Sequence, residues 1–305
     1  MKLLRQDNSD LTTQRIAVVG TFDGVHCGHR FLFEQMMDEA SNRCLEPTVI
    51  TFAQHPLSVI NPSAEPPQLS SVDERIATIG NCGVKCCILL DFNEELRQMS
   101  ARQFLEMINR CYGIKCLVVG FNTRFGRNCS DGVDEYRNLG KEVGVDVIEA
   151  PEYGKEISSS SIRNLISNKK IAEANKALGY NYNIIGKVVK GKQLGRTIGF
   201  PTANVDVENK KKLIPAPGVY AVDATIPKLH SKKFRAMLNI GSRPTVDGAN
   251  APISIEAHIL NFNEDIYGME IEVEFLKYIR EERAFASLDE LSAQLNLDKI
   301  QALSV

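Results

Sequence analysis

Apolar and amphipathic segments alternate along roughly the first 180 residues of the chain. Ser71 and Glu74 have the spacing of a capping box at one helix start. Ser100 and Gln103 have the same spacing at a second helix start. Gly113 can end that second helix. Short apolar runs between such helices predict buried strands at 16–19, 48–52, 86–90, 116–119 and 145–149. This order predicts an α/β domain with a doubly wound parallel sheet, which binds ligands at the carboxyl ends of its strands.

The pattern changes after residue 181, where strand-like runs follow one another without intervening helices. These runs lie at 184–189, 218–226, 234–240, 253–260 and 271–275. Turn residues at 215–218 separate two of them, and Ser287 opens a last helical segment. We therefore expect a small antiparallel β-barrel followed by a C-terminal helix. The chain is predicted to have two domains, residues 1–181 and 182–305.

Composition and charge narrow the class of protein. The 305 residues are 43% hydrophobic, enough for two sizeable cores, and the formal net charge is −2. This charge balance gives no support for nucleic acid or an anionic membrane as a partner. No apolar run approaches the ~18 residues of a membrane span, and residues 1–7 lack a signal-peptide core. We expect a cytoplasmic protein, and the sequence leaves its oligomeric state open.

The eight cysteines all precede residue 130 and lack paired C-x-x-C spacing. Disulfide frameworks are typical of small secreted domains, so we expect free thiols and no zinc site. Cys86, Cys87 and Cys116 lie inside apolar runs and are expected to be small core residues.

A glycine-rich turn at residues 20–29 joins the first predicted strand to the first predicted helix. Such a turn points backbone N–H groups and the positive end of the helix dipole at one spot, which suits a phosphate. His26 and His29 lie three residues apart where the helix begins, so both imidazoles can reach one anion. A metal pair is the alternative, although helical metal pairs more often have i, i+4 spacing. The turn is predicted to bind ATP through Gly20, Phe22, Asp23, Gly24 and Gly28.

Three further loops follow strands of the same predicted sheet and should reach the same edge. His55 comes after the second strand, residues 120–126 follow the fourth, and residues 157–163 follow the fifth. Hydroxyls, helix-start N–H groups and the guanidinium of Arg163 would form a second phosphate-binding region. Simpler interpretations exist for each loop taken alone, such as an ordinary loop histidine or a serine helix cap. Their common location favours one ligand site.

The second half has its own candidate site in residues 191–204. The loop 191–195 can fold its N–H groups over phosphates. Thr202 and Asn204 offer oxygen atoms two residues apart, on one face of the chain if it is extended there. Such oxygen ligands suit Mg²⁺, which bridges phosphate oxygens. From spacing alone, a plain proline turn beside a glycine loop is an equally good interpretation.

These motifs together resemble those of the bacterial bifunctional FAD synthetases, which combine riboflavin kinase and FMN adenylyltransferase domains. G-x-F-D-G-V-H-x-G-H, T-F-x-x-H-P, G-x-N-x-x-F-G and I-S-S-S-x-I-R are similar to the adenylyltransferase half. The first of these is shared with other nucleotidyl transferases. G-R-x-x-G-F-P-T-A-N at 195–204 is similar to the riboflavin kinase signature, and segments 239–245, 255–260 and 279–285 also match. The resemblance covers essentially the whole chain in the family's order.

The resemblance implies a two-step function: riboflavin and ATP give FMN and ADP, and FMN and a second ATP give FAD and pyrophosphate. It implies Mg²⁺ as the cofactor bound with ATP, held by Thr202 and Asn204. The implied catalytic residues are His26, His29, Arg163 and Glu256, with Glu256 as the base. The further implied ATP contacts are Asn122, Ser159, Ser160, Gly191, Lys192 and Gly195. The implied flavin contacts are His55, Arg124, Phe125, Arg196, Asn239 and Arg280.

The chain departs from the family's pattern at Thr123, Ser160 and Cys129. Thr123 and Cys129 lie near the expected FMN site, and they put flavin affinity there in question. A flavin- or nucleotide-binding regulator without turnover is the alternative from another class. The intact set of chemical groups argues against it, since a binder has less need for His26, His29, Thr202, Asn204 and Glu256.

Overall fold

In the computed structural model of the chain, six parallel strands form the sheet of the first half. The structure describes residues 1–6, 8–120, 123–127, 132–154, 157–191, 195, 199–242 and 253–305. The strands are β1 (Lys2–Arg5), β2 (Arg15–Val19), β3 (Glu46–Phe52), β4 (Cys86–Leu90), β5 (Ile114–Val119) and β6 (Asp146–Glu149). Their order, β1-β4-β3-β2-β5-β6, reverses direction between β2 and β5. Ligands of such sheets bind at this reversal, where the turn after β2 lies.

Five of the six strands were predicted from the apolar runs, and β1 was missed. β1 pairs in parallel with β4, with Lys2 opposite Cys86. Only one of its four residues is buried, so it has no apolar run that could mark it.

Helices cover both faces of this sheet, as expected for a doubly wound domain. They are α1 (Cys27–Arg43), α2 (Leu57–Ile60), a 3₁₀ turn (Pro62–Ala64), α3 (Val72–Asn81), α4 (Glu94–Gln98), α5 (Ala101–Tyr112) and α6 (Val133–Val143). Both predicted capping boxes are present, at the starts of α3 and α5, and Gly113 ends α5 with a φ of 64°. Ala17 and Val19 pack in one core with α5, while Ile16 and Val18 pack in a second core with α1.

Arg15 organises the amino-terminal edge of the sheet from a fully buried position. Its guanidinium pairs with Asp10 at 2.6 Å and with Glu46 at 2.9 Å. It also donates to the carbonyl oxygens of Thr13 and Tyr112. Hydrogen bonds from Lys2, Thr12 and Arg15, in that order of effect, hold the pKa of Asp10 far below its usual range.

Replacing Arg15 with Met should lower the free energy of unfolding by roughly 1–3 kcal/mol, because the buried Tyr112 carbonyl and the partly buried carboxylates of Asp10 and Glu46 lose a hydrogen-bond donor. Urea unfolding followed by far-UV circular dichroism measures this loss. Arg43→Met is the matched control, since both of its ion pairs are exposed and should contribute less than about 1 kcal/mol. An Arg15→Met loss no larger than the control's would contradict the structural role of Arg15.

Six antiparallel strands close into a barrel in the second half, as predicted. They are β7 (Asn183–Val189), β8 (Ala203–Asp206), β9 (Gly218–Ile226), β10 (His230–Ser242), β11 (Ile253–Ile259) and β12 (Glu270–Arg280). The closed order is β10-β11-β8-β7-β12-β9. The predicted C-terminal helix is α9 (Leu288–Leu303), whose N-cap Ser287 accepts a hydrogen bond from the backbone of Glu290. The short strand β8 was not anticipated as a strand of its own.

Two compact units divide the chain into Met1–Ser159 and Ser160–Val305. The helices α7 (Ser159–Ser167) and α8 (Ile171–Leu178) lie almost wholly in the second unit, where the Asn175 side chain donates to the carbonyl of Phe275 at 2.8 Å. The domain boundary after residue 181 stays a prediction. Among the described residues, no helix is long and apolar enough to cross a membrane.

Candidate functional site

The turn after β2 is strained and packed. Phe22, Gly24 and Val25 have φ values of 50°, 78° and 38°, in the left-handed region that favours glycine. Phe22 and Val25 are nevertheless buried. Buried non-glycine residues in this region persist only where the surroundings hold them, which is typical of ligand-binding turns.

His26 and His29 are brought together at the start of α1, as the sequence predicts. His26 is the N-cap, and its Nδ1 accepts a hydrogen bond from the backbone N–H of His29 at 3.4 Å. The two rings are stacked, with centroids 3.6 Å apart and planes inclined by 18°. Phe22 contacts the His29 ring edge-on. Gly20 lies against the Phe22 ring, and a Cβ on Gly28 would lie 3.3 Å from the His26 ring.

Burial makes both imidazoles poor bases. It lowers the pKa of His26 to about 4, against an attraction from Asp23. Burial also lowers the pKa of His29 well below its usual value, and the neighbouring His26 adds to this shift. Both rings are therefore neutral near neutral pH and can offer N–H donors to a phosphate without carrying charge.

These pKa shifts predict a loss of stability in mild acid. Between pH 6.5 and 4 the unfolded chain binds more protons at His26 than the folded chain does, so stability falls as the pH falls and is constant above that window. From pH 7 to pH 5 the His26 contribution should be about 2 kcal/mol. His26→Asn keeps a side-chain cap but does not titrate, so its unfolding midpoint in urea should change less between these pH values. An equal change in wild type and variant would contradict the assignment.

The buried carboxylate of Asp23 links the turn to the segment that precedes α3. The oxygens accept hydrogen bonds from the backbone N–H groups of Leu69 and Ser70, both at 2.9 Å. The Ser70 hydroxyl accepts from the N–H of Gly24 at 3.0 Å, and the Ser159 hydroxyl donates to the Asp23 carbonyl at 2.9 Å. The contribution of Asp23 to ATP binding stays a prediction. Leu69 and Ser70 were missed, because the segment before α3 carries no motif of its own.

His55 and Phe125, in the loops after β3 and β5, make contacts that could not be predicted from the motifs. His55 follows β3, and its Nδ1 accepts a hydrogen bond from the N–H of Leu57 at the start of α2. The Phe125 ring stacks on Tyr136, with centroids 4.0 Å apart, and packs against the core under α5. The predicted flavin contacts of both residues stay predictions.

A cavity of about 190 Å³ lies at the carboxyl ends of β5 and β6, on the edge where the sequence places the ligand site. It is lined by Val119, Gly120, Thr123, Arg124, Gly132, Val133, Tyr136 and Glu149. Thr123 uses its hydroxyl to accept a hydrogen bond from the N–H of Gly120 at 2.9 Å. Arg124 borders this cavity, and its predicted contact with flavin stays a prediction. Asn122 lies outside the described residues.

The predicted phosphate-binding residues at the start of α7 fall into two units of the structure. Ser159 contacts the β2 turn as described above, within the first unit. Ser160 and Arg163 lie in the first turns of α7, which belong to the second unit. The roles of Ser160 and Arg163 toward ATP stay predictions.

A second group of polar side chains gathers on the barrel, around Glu256. Glu256 faces away from the barrel core, because its strand alternates with buried Ile255 and Ala257. It lies opposite Asn204 of β8 in register, and the Thr202 hydroxyl donates to its Oε2 at 3.4 Å. Three oxygen-bearing side chains of this kind fit a hard divalent cation with its bound phosphates.

Close approach explains the glycines of the preceding loop. A Cβ on Gly191 would lie 2.1 Å from the amide nitrogen of Asn204, so a larger residue would require the Asn204 side chain to move. A Cβ on Gly195 would lie 2.1 Å from the carbonyl oxygen of Phe200, whose N–H donates to the Gly195 carbonyl at 2.8 Å. Lys192 and Arg196 lie outside the described residues.

A cavity of about 310 Å³ opens beside this group. Its lining includes Thr202 together with Val188, Pro201, Ala203, Ala257, Ile259 and residues 262–267. The mixture of apolar walls and a few polar groups is typical of a small-molecule site.

Asn239 and Arg280, the predicted flavin contacts of the barrel, are held by acidic partners. Asn239 lies opposite Glu256 on the other side of β11 and donates to Glu282 at 2.9 Å. Arg280 pairs with Asp298 of α9 at 2.7 Å, and Asp298 is fully buried. Arg280 thus fastens the C-terminal helix to the barrel, and its contact with flavin stays a prediction.

Comparison with known proteins agrees with the two groups of side chains. Residues 8–163 match the family model for FAD synthetase, and residues 178–305 match that for riboflavin kinase. The bifunctional riboflavin kinase/FMN adenylyltransferase of Escherichia coli K12 is 35% identical over 94% of this chain and 91% of its own. The chain belongs to the bifunctional riboflavin kinase/FMN adenylyltransferase family. The Bacillus subtilis member of this family is 34% identical, with the same coverage.

One solved structure matches this chain along its full length. It is described as a macrolide-efflux protein from Streptococcus pneumoniae, is 31% identical and superposes with a TM-score of 0.89 over 100% of both chains. Its description differs from the names of the curated relatives. The family assignment rests on the two family models and on those relatives, which agree with one another.

Proposed function

We propose that the chain makes FAD from riboflavin in two steps, each at its own site. The barrel domain, residues 182–305, phosphorylates riboflavin, and the N-terminal domain, residues 1–181, adenylylates the FMN that results. The observation that carries this proposal is the presence on one chain of a stacked histidine pair on a strand–turn–helix and an oxygen cluster around Glu256. The cluster around Glu256 would produce FMN, and FMN is the substrate used at the histidine pair.

The kinase step needs a base and charge neutralisation. Glu256 accepts the proton of the riboflavin 5′-hydroxyl as that oxygen bonds to the γ-phosphorus of ATP, and the bond to ADP breaks. Thr202 and Asn204 would hold Mg²⁺. The Thr202 hydroxyl donates to Glu256, and Asn204 lies opposite Glu256 in register. The ion, when bound, neutralises charge on the transferred phosphoryl group. The loop 191–195 would cover the phosphates with its N–H groups.

The adenylyl transfer needs alignment rather than a strong base. The phosphate of FMN is already an anion near neutral pH, and its oxygen attacks the α-phosphorus of ATP as pyrophosphate leaves. His26 and His29 are neutral, so they stabilise the transition state as hydrogen-bond donors, together with the N-terminus of α1. Arg163 supplies a positive charge that the neutral histidines do not.

The direct test is incubation of the protein with riboflavin, ATP and Mg²⁺, followed by chromatographic separation of the flavins. FMN should appear first and FAD should follow at its expense, and chelation of the metal should stop both. Binding of flavin without either product would support the alternative, a regulator that binds flavin without turnover. We place the enzyme in the cytoplasm, a reducing compartment that suits the free thiols of the described cysteines.

A further inference from the structure

Arg75 is the one buried arginine beside the β2 turn that the mechanism above does not use, within the described part of the chain. It lies in the second turn of α3 and is 5% exposed. One guanidinium nitrogen donates to the carbonyl of Thr21 at 2.9 Å, and the other donates to the carbonyl of Phe52. These carbonyls follow β2 and end β3, so Arg75 joins the two strands at the ligand edge of the sheet.

The charge of Arg75 is only partly compensated. In the described part of the chain, its hydrogen-bond partners are the two carbonyl oxygens, its Nε has none, and no carboxylate forms an ion pair with it. The Asp23 carboxylate attracts it from further away, and burial lowers its pKa without making an arginine neutral. Both Asp23 oxygens are already occupied by the segment before α3. A positive charge therefore remains under the turn.

The turn itself needs such support. Phe22 and Val25 are held in the left-handed region, which costs roughly 1–2 kcal/mol for each residue that is not glycine. The Thr21 carbonyl, directly before Phe22, accepts from Arg75 and also from the Thr51 hydroxyl at 3.1 Å. Without these donors the carbonyl would be free to rotate, and the histidines that follow would lose their fixed position.

We propose that Arg75 is a positioning residue for adenylyl transfer, which fixes the turn that carries His26 and His29 and places a buried positive charge under the phosphate site. A triphosphate bound on this turn brings the negative charge that the buried guanidinium lacks. Arg75 thus acts through the turn and through its field, not by direct contact with the reacting atoms. This inference rests on the proposed adenylyl transfer.

Two substitutions in the full-length protein separate geometry from charge. Arg75→Lys keeps the charge but cannot bridge two carbonyls, and Arg75→Gln loses both. With FMN and ATP supplied, kcat should fall about tenfold or more in both variants, whereas KM for ATP should rise about tenfold in Arg75→Gln alone.

Riboflavin phosphorylation by the same samples should stay within about twofold of wild type, since the barrel forms a separate unit. Arg110→Gln, at an exposed arginine of α5, is the matched control and should change neither constant.

A merely structural role would give a different result. It would lower kcat for Arg75→Lys and Arg75→Gln in proportion to the folded fraction, with KM for ATP unchanged, and this outcome rejects the proposal. Thr51→Val should fold, because the side chains have the same shape, and it removes the other donor to Thr21. It should lower kcat for FAD formation about three- to tenfold, and an unchanged kcat rejects positioning through Thr21. Failure of the wild type to make FAD would instead reject the proposed function.

Discussion

His29→Ala should remove FAD formation and leave FMN formation intact. The His29 ring is stacked on His26 and contacts Phe22, so its loss removes one phosphate donor and frees the other imidazole to move. Loss of one such donor typically lowers the rate by ~10²–10³, which takes the adenylyl transfer to background in an ordinary assay. His29 belongs to the first unit and Glu256 to the second, so FMN formation at the barrel should not depend on His29.

The assay should supply riboflavin in one reaction and FMN in another, each with ATP and Mg²⁺. Riboflavin should be converted to FMN at the wild-type rate, and FMN should accumulate because it is not consumed. A circular dichroism spectrum of the His29→Ala protein that matches the wild-type spectrum would show that the variant is folded. Equal loss of both activities would contradict the assignment of the two steps to separate sites.

Glu256→Gln should give the opposite pattern. The substitution keeps the shape of the side chain and an oxygen that can accept from Thr202, but it removes the proton acceptor for the riboflavin hydroxyl. General-base catalysis typically contributes ~10²–10⁴ in rate, so FMN formation should fall by that factor. FAD formation from supplied FMN should stay within about twofold of wild type.

Glu272→Gln is the matched control for this variant. Glu272 is also a barrel glutamate, but it lies on β12 and accepts a hydrogen bond from Asn183. Its substitution should leave both activities unchanged. A Glu256→Gln protein that phosphorylates riboflavin as fast as the Glu272→Gln protein would show that Glu256 is not the base.

The strands and helix ends that could be predicted from the sequence are those with a strong local signal. Buried runs such as Cys86–Leu90 are apolar along their length, and Ser100 with Gln103 forms a capping box within four residues. β1 and β8 have four residues each and few buried ones, so the hydrophobic pattern does not mark them. The motif after β2 located the histidine pair, because ligands of parallel sheets bind at the carboxyl ends of the strands. The barrel group was instead indicated by the motif at 195–204 and by the alternation of residues around Glu256.

The contacts of individual side chains could not be predicted, since they depend on residues distant in the sequence. Phe125 stands in a motif but stacks on Tyr136, and Arg280 is held by Asp298 from the last helix. Arg75 shows the same limit more clearly. On an amphipathic helix a single arginine is usually solvated. Arg75 is buried because Thr21, from the turn after β2, and Phe52, at the end of β3, contact its guanidinium.

The central claim is that one chain performs phosphoryl transfer and then adenylyl transfer on the same flavin. The most direct measurement supplies riboflavin and Mg²⁺ with ATP labelled with one phosphorus isotope at the γ-position and another at the α-position. FAD should carry one label of each kind, with one ADP and one pyrophosphate released for each FAD formed. FAD without the γ-label, or bound flavin that acquires neither label, would contradict the claim.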